Sequence, residues 1–218
     1  YDVSYKDNKD AGTATITITG KGNYAGSVET KEFTITKRAL EITASGVTKT
    51  YDGTPLTSSK FTVTSGSLAP NQTLSVTTSG SITNVGTEVN KIATYAIYMN
   101  SEDVTKNYNI TTKDGKLEVL PASITGTVTI TGTNKVGSTL TALVKVTPAD
   151  ADLTYSWYHN DANSTNGGTL IVTETEGKYI IGSNTSVDLV GKYIYVVVTA
   201  TKDNYKTQTF TDITDKDT

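Results

Sequence analysis

Threonine alternating with apolar residues constrains this chain more than any other feature. Thr13 to Thr19 reads TATITIT, Lys60 to Thr64 reads KFTVT, Thr73 to Thr77 reads TLSVT and Tyr193 to Ala200 reads YIYVVVTA. Successive side chains on a strand point to opposite faces, so a period of two sends one set into a core and the other into water. Threonine is β-branched and stiff at χ1, which suits the solvated face of a strand. About a fifth of the chain is threonine, and turn residues interrupt the alternation every eight to twelve positions or so. No window of eleven or more residues carries an apolar repeat of 3.6. The nearest helical candidate, Ser67 to Asn71, is short and contains Pro70. The chain therefore reads as all-β.

Hydrophobic residues make up 35% of the chain, with 1 Met, 1 Trp and 3 Phe, so its cores must rest on Val, Ile, Leu and Tyr. That supply fits several thin β-layers better than one large α/β core. The net charge is −3 and the lysines are scattered. A nucleic-acid surface needs a basic stripe to neutralise phosphates, and none is present. No stretch of about 18 apolar residues offers a membrane span, and no signal peptide or sorting tail is recognisable. Cysteine is absent. In a Thr-rich acidic β-chain this absence fits a Gram-positive bacterial exterior better than a large eukaryotic secreted protein, which would often carry disulfides.

An internal repeat sets the domain count. Gly12, Gly86 and Gly191 each open a strand, and each strand leads to an Asn-Tyr pair: Asn23-Tyr24, Asn107-Tyr108 and Asn204-Tyr205. A closing strand follows each pair, at Lys31 to Thr36, Gly115 to Leu120 and Thr207 to Ile213. Successive pairs lie about 85 and then 97 positions apart, close to the size of a sandwich domain of about 100 residues. Three endings but only two beginnings are present. The expected domains are 1–38, the closing half of a truncated repeat, then 39–121 and 122–218 as complete modules. A few strands alone bury too little apolar surface to be stable, so the half-module needs a neighbour or another chain. The junctions, Lys37 to Ala39 and Pro121 to Ser123, are short and one holds a φ-locked proline. Flexible tethers are longer and rich in Gly and Ser. Stiff junctions point to a stalk.

Four separated motifs occur in residues 39–121: KTYDGTPL (Lys49 to Leu56), GSLAP (Gly66 to Pro70), TTSGSITNVGTEVN (Thr77 to Asn90) and KNYNITTKDGKLEV (Lys106 to Val119). In this order they resemble the YDG-type MBG repeats of Gram-positive surface proteins. Residues 1–38, with AGTATITITGKGNYAG and KEFTI, resemble the closing half of a related MBG-type repeat. Residues 122–218 are similar to bacterial Ig-like repeats through VGSTLTA (Val136 to Ala142), LTYSWY (Leu153 to Tyr158) and VGKYIYVVVTA. The resemblance implies tandem Ig-like β-sandwich modules in an extracellular, cell-wall-attached adhesin or stalk, with no general catalytic residues to carry over. A β-grasp fold is the alternative for the MBG-type modules. It requires a helix across the sheet, and no amphipathic helix is evident in residues 39–121.

The individual residues weigh towards structure. Tyr51-Asp52-Gly53 reads as a turn, with Asp52 bonding forward and Gly53 taking positive φ. Trp157 alternates with Tyr155 and Leu153 on one face, the position of a sandwich core anchor. Tyr193 and Tyr195 share the face opposite Ile194, Val196 and Val198, which makes them the candidate ligand-binding pair for stacking on a sugar. The polar stretch Asp161 to Tyr179 is longer than a compact Ig-like repeat needs, and sandwich-end loops often carry binding residues. His159 is the only histidine. It lacks the nucleophile and orienting group of a triad and the co-ligands of a zinc site. The pairs Glu102/Asp103, Glu174/Glu176 and Asp150/Asp152 read as loop charge, because glycosidase chemistry needs a cleft and a set separation.

No catalytic residue, cofactor or resident metal is expected, and the chain reads as non-enzymatic. Calcium at acidic clusters stays open, although no DxDxDG-type loop occurs. A Lys–Asn isopeptide bond, with Lys49 or Lys60 joined to Asn90 or Asn100, also stays open. An intact mass short of one ammonia would reveal it. The leading expectation is a monomeric, non-catalytic spacer and adhesive stalk. The alternatives are a module that grips a host glycan or surface protein through the third domain, and an accessory region of a large surface hydrolase.

Overall fold

The computed structural model describes residues 1–183 and 188–215. Among these residues the chain is all-β, with two single-turn 3₁₀ segments, Gly22–Tyr24 and Thr105–Asn107, as its only helical elements. It divides into two units. The first holds residues 1–49 and 53–119, and the second holds residues 50–52 and 120–218.

The first unit begins with β1 (Asp2–Lys6), β2 (Gly12–Thr19) and β3 (Val28–Ile35), which form an antiparallel three-stranded sheet in that order. Next come β4 (Arg38–Ala44), β5 (Val47–Thr50), β6 (Phe61–Gly66), β7 (Gln72–Ser79), β8 (Gly86–Met99), β9 (Glu102–Asp103), β10 (Tyr108–Lys113) and β11 (Gly115–Leu120). They form two sheets, ordered β10-β4-β6 and β5-β11-β8-β7, with β9 added to β8. Leu40, Ile42, Ile97, Val104 and Tyr108 meet between the layers, joined by Phe61, Leu68, Leu74, Val76, Ile92 and Ile110. This is a sandwich core. The β-grasp alternative fails here because the only helical piece of this module is the three-residue turn Thr105–Asn107.

The threonines do what the alternation predicts. In β7 half-buried and exposed positions alternate without a break over QTLSVTTS. Across strands, Thr43 and Thr64 hydroxyls lie 2.9 Å apart and those of Thr77 and Thr94 lie 2.6 Å apart. Such cross-strand pairs stabilise a sheet by a few tenths of a kcal/mol to about 1 kcal/mol each. The Tyr51-Asp52-Gly53 turn also has the expected form, with Gly53 at φ +79°, and Leu56 beyond it is buried and bridges to Ile82.

A small polar knot joins the β1–β3 sheet to the rest of the first unit. The Ala11 amide donates to Asn107 Oδ1 (2.8 Å), and Asn107 Nδ2 donates to Asp10 Oδ1 (2.8 Å). Lys106 Nζ lies 2.7 Å from Asp10 Oδ2. The Lys106 hydrogen bond, and then that of Asn107, hold the Asp10 carboxyl below its ordinary 3.8. The ion pair is exposed and contributes little by itself, so Asn107 is the important member. Replacing Asn107 with alanine removes both of its hydrogen bonds and is expected to destabilise the attachment by about 1–2 kcal/mol. Hydrogen exchange at the Ala11 amide would show it as faster exchange. Because the folded value of Asp10 is lowered, its contribution holds above pH 3.8 and fades as pH falls through the depressed value.

The second unit contains β12 (Ala122–Ser123), β13 (Thr125–Thr131), β14 (Thr139–Thr147), β15 (Asp152–Asn160), β16 (Thr169–Glu174), β17 (Lys178–Ile180), β18 (Tyr193–Thr201), β19 (Tyr205–Lys206) and β20 (Gln208–Ile213). Sheets β13-β14-β17 and β16-β15-β18-β20 enclose one core, and β12 pairs in parallel with β19. Trp157, Ile194, Val196 and Val198 are fully buried there, with Leu140, Tyr155, Tyr179 and Ile181 packed around them. The core role expected of Trp157 and Tyr155 holds. At one end, the Tyr51 amide donates to Leu120 O and the Tyr51 ring meets that of Tyr205 edge-on at 5.6 Å.

Candidate functional site

The aromatic surface expected at Tyr193 and Tyr195 takes a different form. Tyr195 is only 3% exposed. It pairs across the sheet with Tyr158, and the two rings stack at 4.9 Å with 7° between their planes. Gly168 closes over it, so tightly that a Cβ there would stand 2.5 Å from the Tyr195 ring. Burial removes Tyr195 from the ligand-binding pair. Period-two logic failed at this point because β18 is covered on both faces here: Ile194, Val196 and Val198 enter the sandwich core, while the loop ending at Gly168 covers the opposite face. Tyr193, opposite Asn160, is half-buried and is the member left open to solvent.

The long polar stretch Asp161 to Tyr179 is a loop for only part of its length. Thr169–Glu174 and Lys178–Ile180 are strands β16 and β17, with Ile171 and Tyr179 buried. What remains is the short link 175–177 and the loop 161–168, which is tied by Asn160. Its Nδ2 donates to Ser164 O (2.8 Å) and Asn166 O (2.9 Å), and its Oδ1 accepts from the Ala162 amide (3.1 Å). Lys192 pairs with Asp161 beside it. The Asn160 bonds fix the loop by its backbone, which leaves Asp161 as its most exposed charge, at 85% of the side chain. No signal in the sequence revealed Gly168 as a lid. Its only hint is the Gly167-Gly168 doublet.

One carboxylate of each candidate pair is held by a structural partner. Glu174 Oε1 accepts the Trp157 indole N–H at 2.9 Å. Asp103 Oδ1 accepts the Thr105 amide at 2.8 Å, and Thr105 holds the carboxyl below its ordinary value. Asp150 lies 2.7 Å from Lys202 Nζ, and that hydrogen bond lowers its pKa and raises that of Lys202. A general acid needs the opposite shift, a carboxyl kept protonated near neutral pH. His159 sits within β15, opposite Thr169 and Ile194. Among the described residues no three His, Cys, Asp or Glu side chains gather as a metal site. Of the residues suggested for a Lys–Asn bond, Lys49 and Asn90 hold other hydrogen-bond partners. Lys49 Nζ donates to Thr54 O and Oγ1 (2.6 and 2.8 Å), while buried Asn90 donates to Ser45 O and Ser58 O (3.0 and 3.1 Å).

No helix among the described residues is long and apolar enough to cross a membrane. Residues 40–118 match the family described as MBG domain (YGX type). The chain's own triplet there is Tyr51-Asp52-Gly53, so the expected kinship holds under a differently labelled type. No curated protein matches the chain. Among solved structures it is similar to a crystal structure of titin domains, at 11% identity and a TM-score of 0.25, over 96% of this chain and 76% of that one. So loose a likeness adds no argument, and the sandwich assignment rests on the sheets and cores described above.

Proposed function

We propose, from the match of residues 40–118 to the MBG domain (YGX type), that the chain is a non-catalytic spacer segment of a bacterial cell-surface protein. The observation that carries the reading is the commitment of its polar side chains. One carboxylate of each candidate pair holds a structural partner: Glu174 an indole, Asp103 a backbone amide and Asp150 a lysine. The β4–β11 module and the second unit are thin sandwiches with filled cores and threonine-rich exteriors, which suits projection more than catalysis. The short junctions 37–39 and 121–123 support a stalk over a tethered chain. On this reading adhesion belongs to other parts of such a protein, and attachment to a cell wall is part of the proposal, supported by the MBG match.

A glycan array and a mucin-binding assay on the 218-residue chain test it. The expected result is no saturable binding at high protein concentration. Saturable binding that Tyr193→Ala abolishes, without loss of the folded state, would replace the spacer with a lectin-like module. Hydrolysis of any glycan on the array would overturn the non-catalytic reading.

A further inference from the structure

Strands β1–β3 repeat, pair for pair, one half of the module that follows them. In the closing strands Ile35 pairs with Gly12 and Phe33 with Ala14, as Val119 pairs with Gly86 and Leu117 with Glu88. On the other edge Ser4 pairs with Thr17 and Val3 with Ile18, as Ser79 pairs with Lys91 and Thr78 with Ile92. One shift, Gly12 to Gly86, Thr17 to Lys91 and Ile18 to Ile92, satisfies both edges. Gly12 and Gly86 enter their strands at φ +145° and +147°, a backbone region nearly closed to residues with a side chain. The β1-β2-β3 sheet is therefore a second copy of β7-β8-β11.

The copies differ in what lies over them. The sheet β10-β4-β6 packs on β7-β8-β11 through Leu40, Ile42, Ile97 and Tyr108, and Leu117 and Val119 on β11 are buried. On the equivalent face of β1-β2-β3, Ala14 is buried but Phe33, in the place of Leu117, is 40% exposed. Tyr5, on the same face across β2, is 56% exposed. Val3 and Ile18 are open on the same face. The shift that carries Phe33 to Leu117 carries Tyr24 to Tyr108. Tyr108 is 5% exposed and starts β10, which runs parallel to β4; Tyr24 is 75% exposed. The residues after it, Val28 and Glu29, pair with Thr19 and Ile18 of β2 instead of with a parallel strand. Tyr24, Val28 and Ile18 line an open groove there.

We propose that this face receives a front half-module of the β4–β6 kind carried ahead of β1 in the same polypeptide. When it docks, residues 24–29 leave the edge of β2 and pair in parallel with its first strand. Connectivity fixes the source. In the complete module β6 runs through residues 67–71 into β7, and β1 stands where β7 stands. The last strand of the occupant therefore enters β1 directly.

Because the chain has no cysteine, Phe33→Cys places a single thiol on this face, and Glu32→Cys places one on the opposite face. Each variant is compared in the 218-residue chain and in the same chain with a copy of residues 38–75 fused ahead of Tyr1. The graft is expected to slow labelling of Phe33→Cys about tenfold or more and to leave Glu32→Cys unchanged. A graft carrying Leu40→Asp and Ile42→Asp in the copied segment should give no protection. In the chain without a cysteine, hydrogen exchange should show the amides of residues 24–29 gaining protection when the graft is present. Equal labelling of Phe33→Cys with and without the graft overturns the proposal. So does protection in the ungrafted chain that rises with protein concentration, which would make a second copy the occupant. Unchanged exchange at residues 24–29 overturns the strand switch.

Discussion

Trp157→Ala is expected to destabilise the second unit by about 3–5 kcal/mol, the range for emptying a large aromatic from a closed core. The ring is fully buried, packs against Tyr179 with centroids 5.8 Å apart, and donates its N–H to Glu174 at 2.9 Å. Alanine leaves a cavity and also strands a carboxylate that had a charge-assisted partner. A domain of this size has about 5–15 kcal/mol of total stability, so the loss takes roughly a fifth or more of it. At about 4–8 °C per kcal/mol for a small domain, the melting transition should fall by tens of degrees. Far-UV circular dichroism should then resolve two transitions, with only the one belonging to the second unit displaced. Trp157→Phe keeps most of the volume and loses the hydrogen bond, so its cost should be well below that of alanine. A melting curve unmoved by Trp157→Ala would mean that the two sheets do not enclose this ring.

The second large effect is expected at Asn90 in the first unit. Asn90 is fully buried, and its amide nitrogen donates to Ser45 O and Ser58 O, carbonyls from two separate connections. Asn90→Asp keeps the shape but replaces the donor with an oxygen aimed at two carbonyl oxygens. At neutral pH that is an uncompensated buried charge, and the expected cost is about 3–5 kcal/mol. The sign of its pH dependence follows. Burial raises the folded pKa of the new carboxyl above its unfolded value of about 3.9. The variant is therefore closest to the parent below that value and loses stability as pH rises through the folded value. Urea denaturation followed by circular dichroism at pH 3.5 and 7 measures it (conditions bracketing about 3.9). Trp157, the only tryptophan, belongs to the other unit and should report no change. A loss of stability equal at both pH values would show that the added charge is solvated.

The sequence revealed the architecture well and the aromatic surface poorly, for one physical reason. Strand alternation reports which residues share a face. It is silent on whether a loop covers that face. Trp157 and Tyr155 were placed correctly because the inner face of a sandwich is buried by the fold itself. Tyr195 was misplaced because its burial comes from Gly168 and a stacked Tyr158, contacts set by a loop with no periodicity. Asn90 shows the same limit from the other side. Its position in TTSGSITNVGTEVN marks a strand, but its two carbonyl partners come from residues 32 and 45 positions away. The Gly12 and Gly86 equivalence, by contrast, was visible at once, because a glycine opening a strand leaves a mark that survives without a structure.

The parallel pairing of β4 with β10 has a mechanical consequence. Arg38 opposes Tyr108 and Thr43 opposes Lys113 along this pair, so the strand that begins the module and one close to its end run side by side in the same direction. A force that reaches the start of β4 and the end of β10 draws such strands past each other lengthwise. The rungs between them then carry the load together, whereas a hairpin pulled from its open end unzips one rung at a time. Parallel pairing therefore gives the β4–β10 pair resistance to a lengthwise pull that a hairpin lacks.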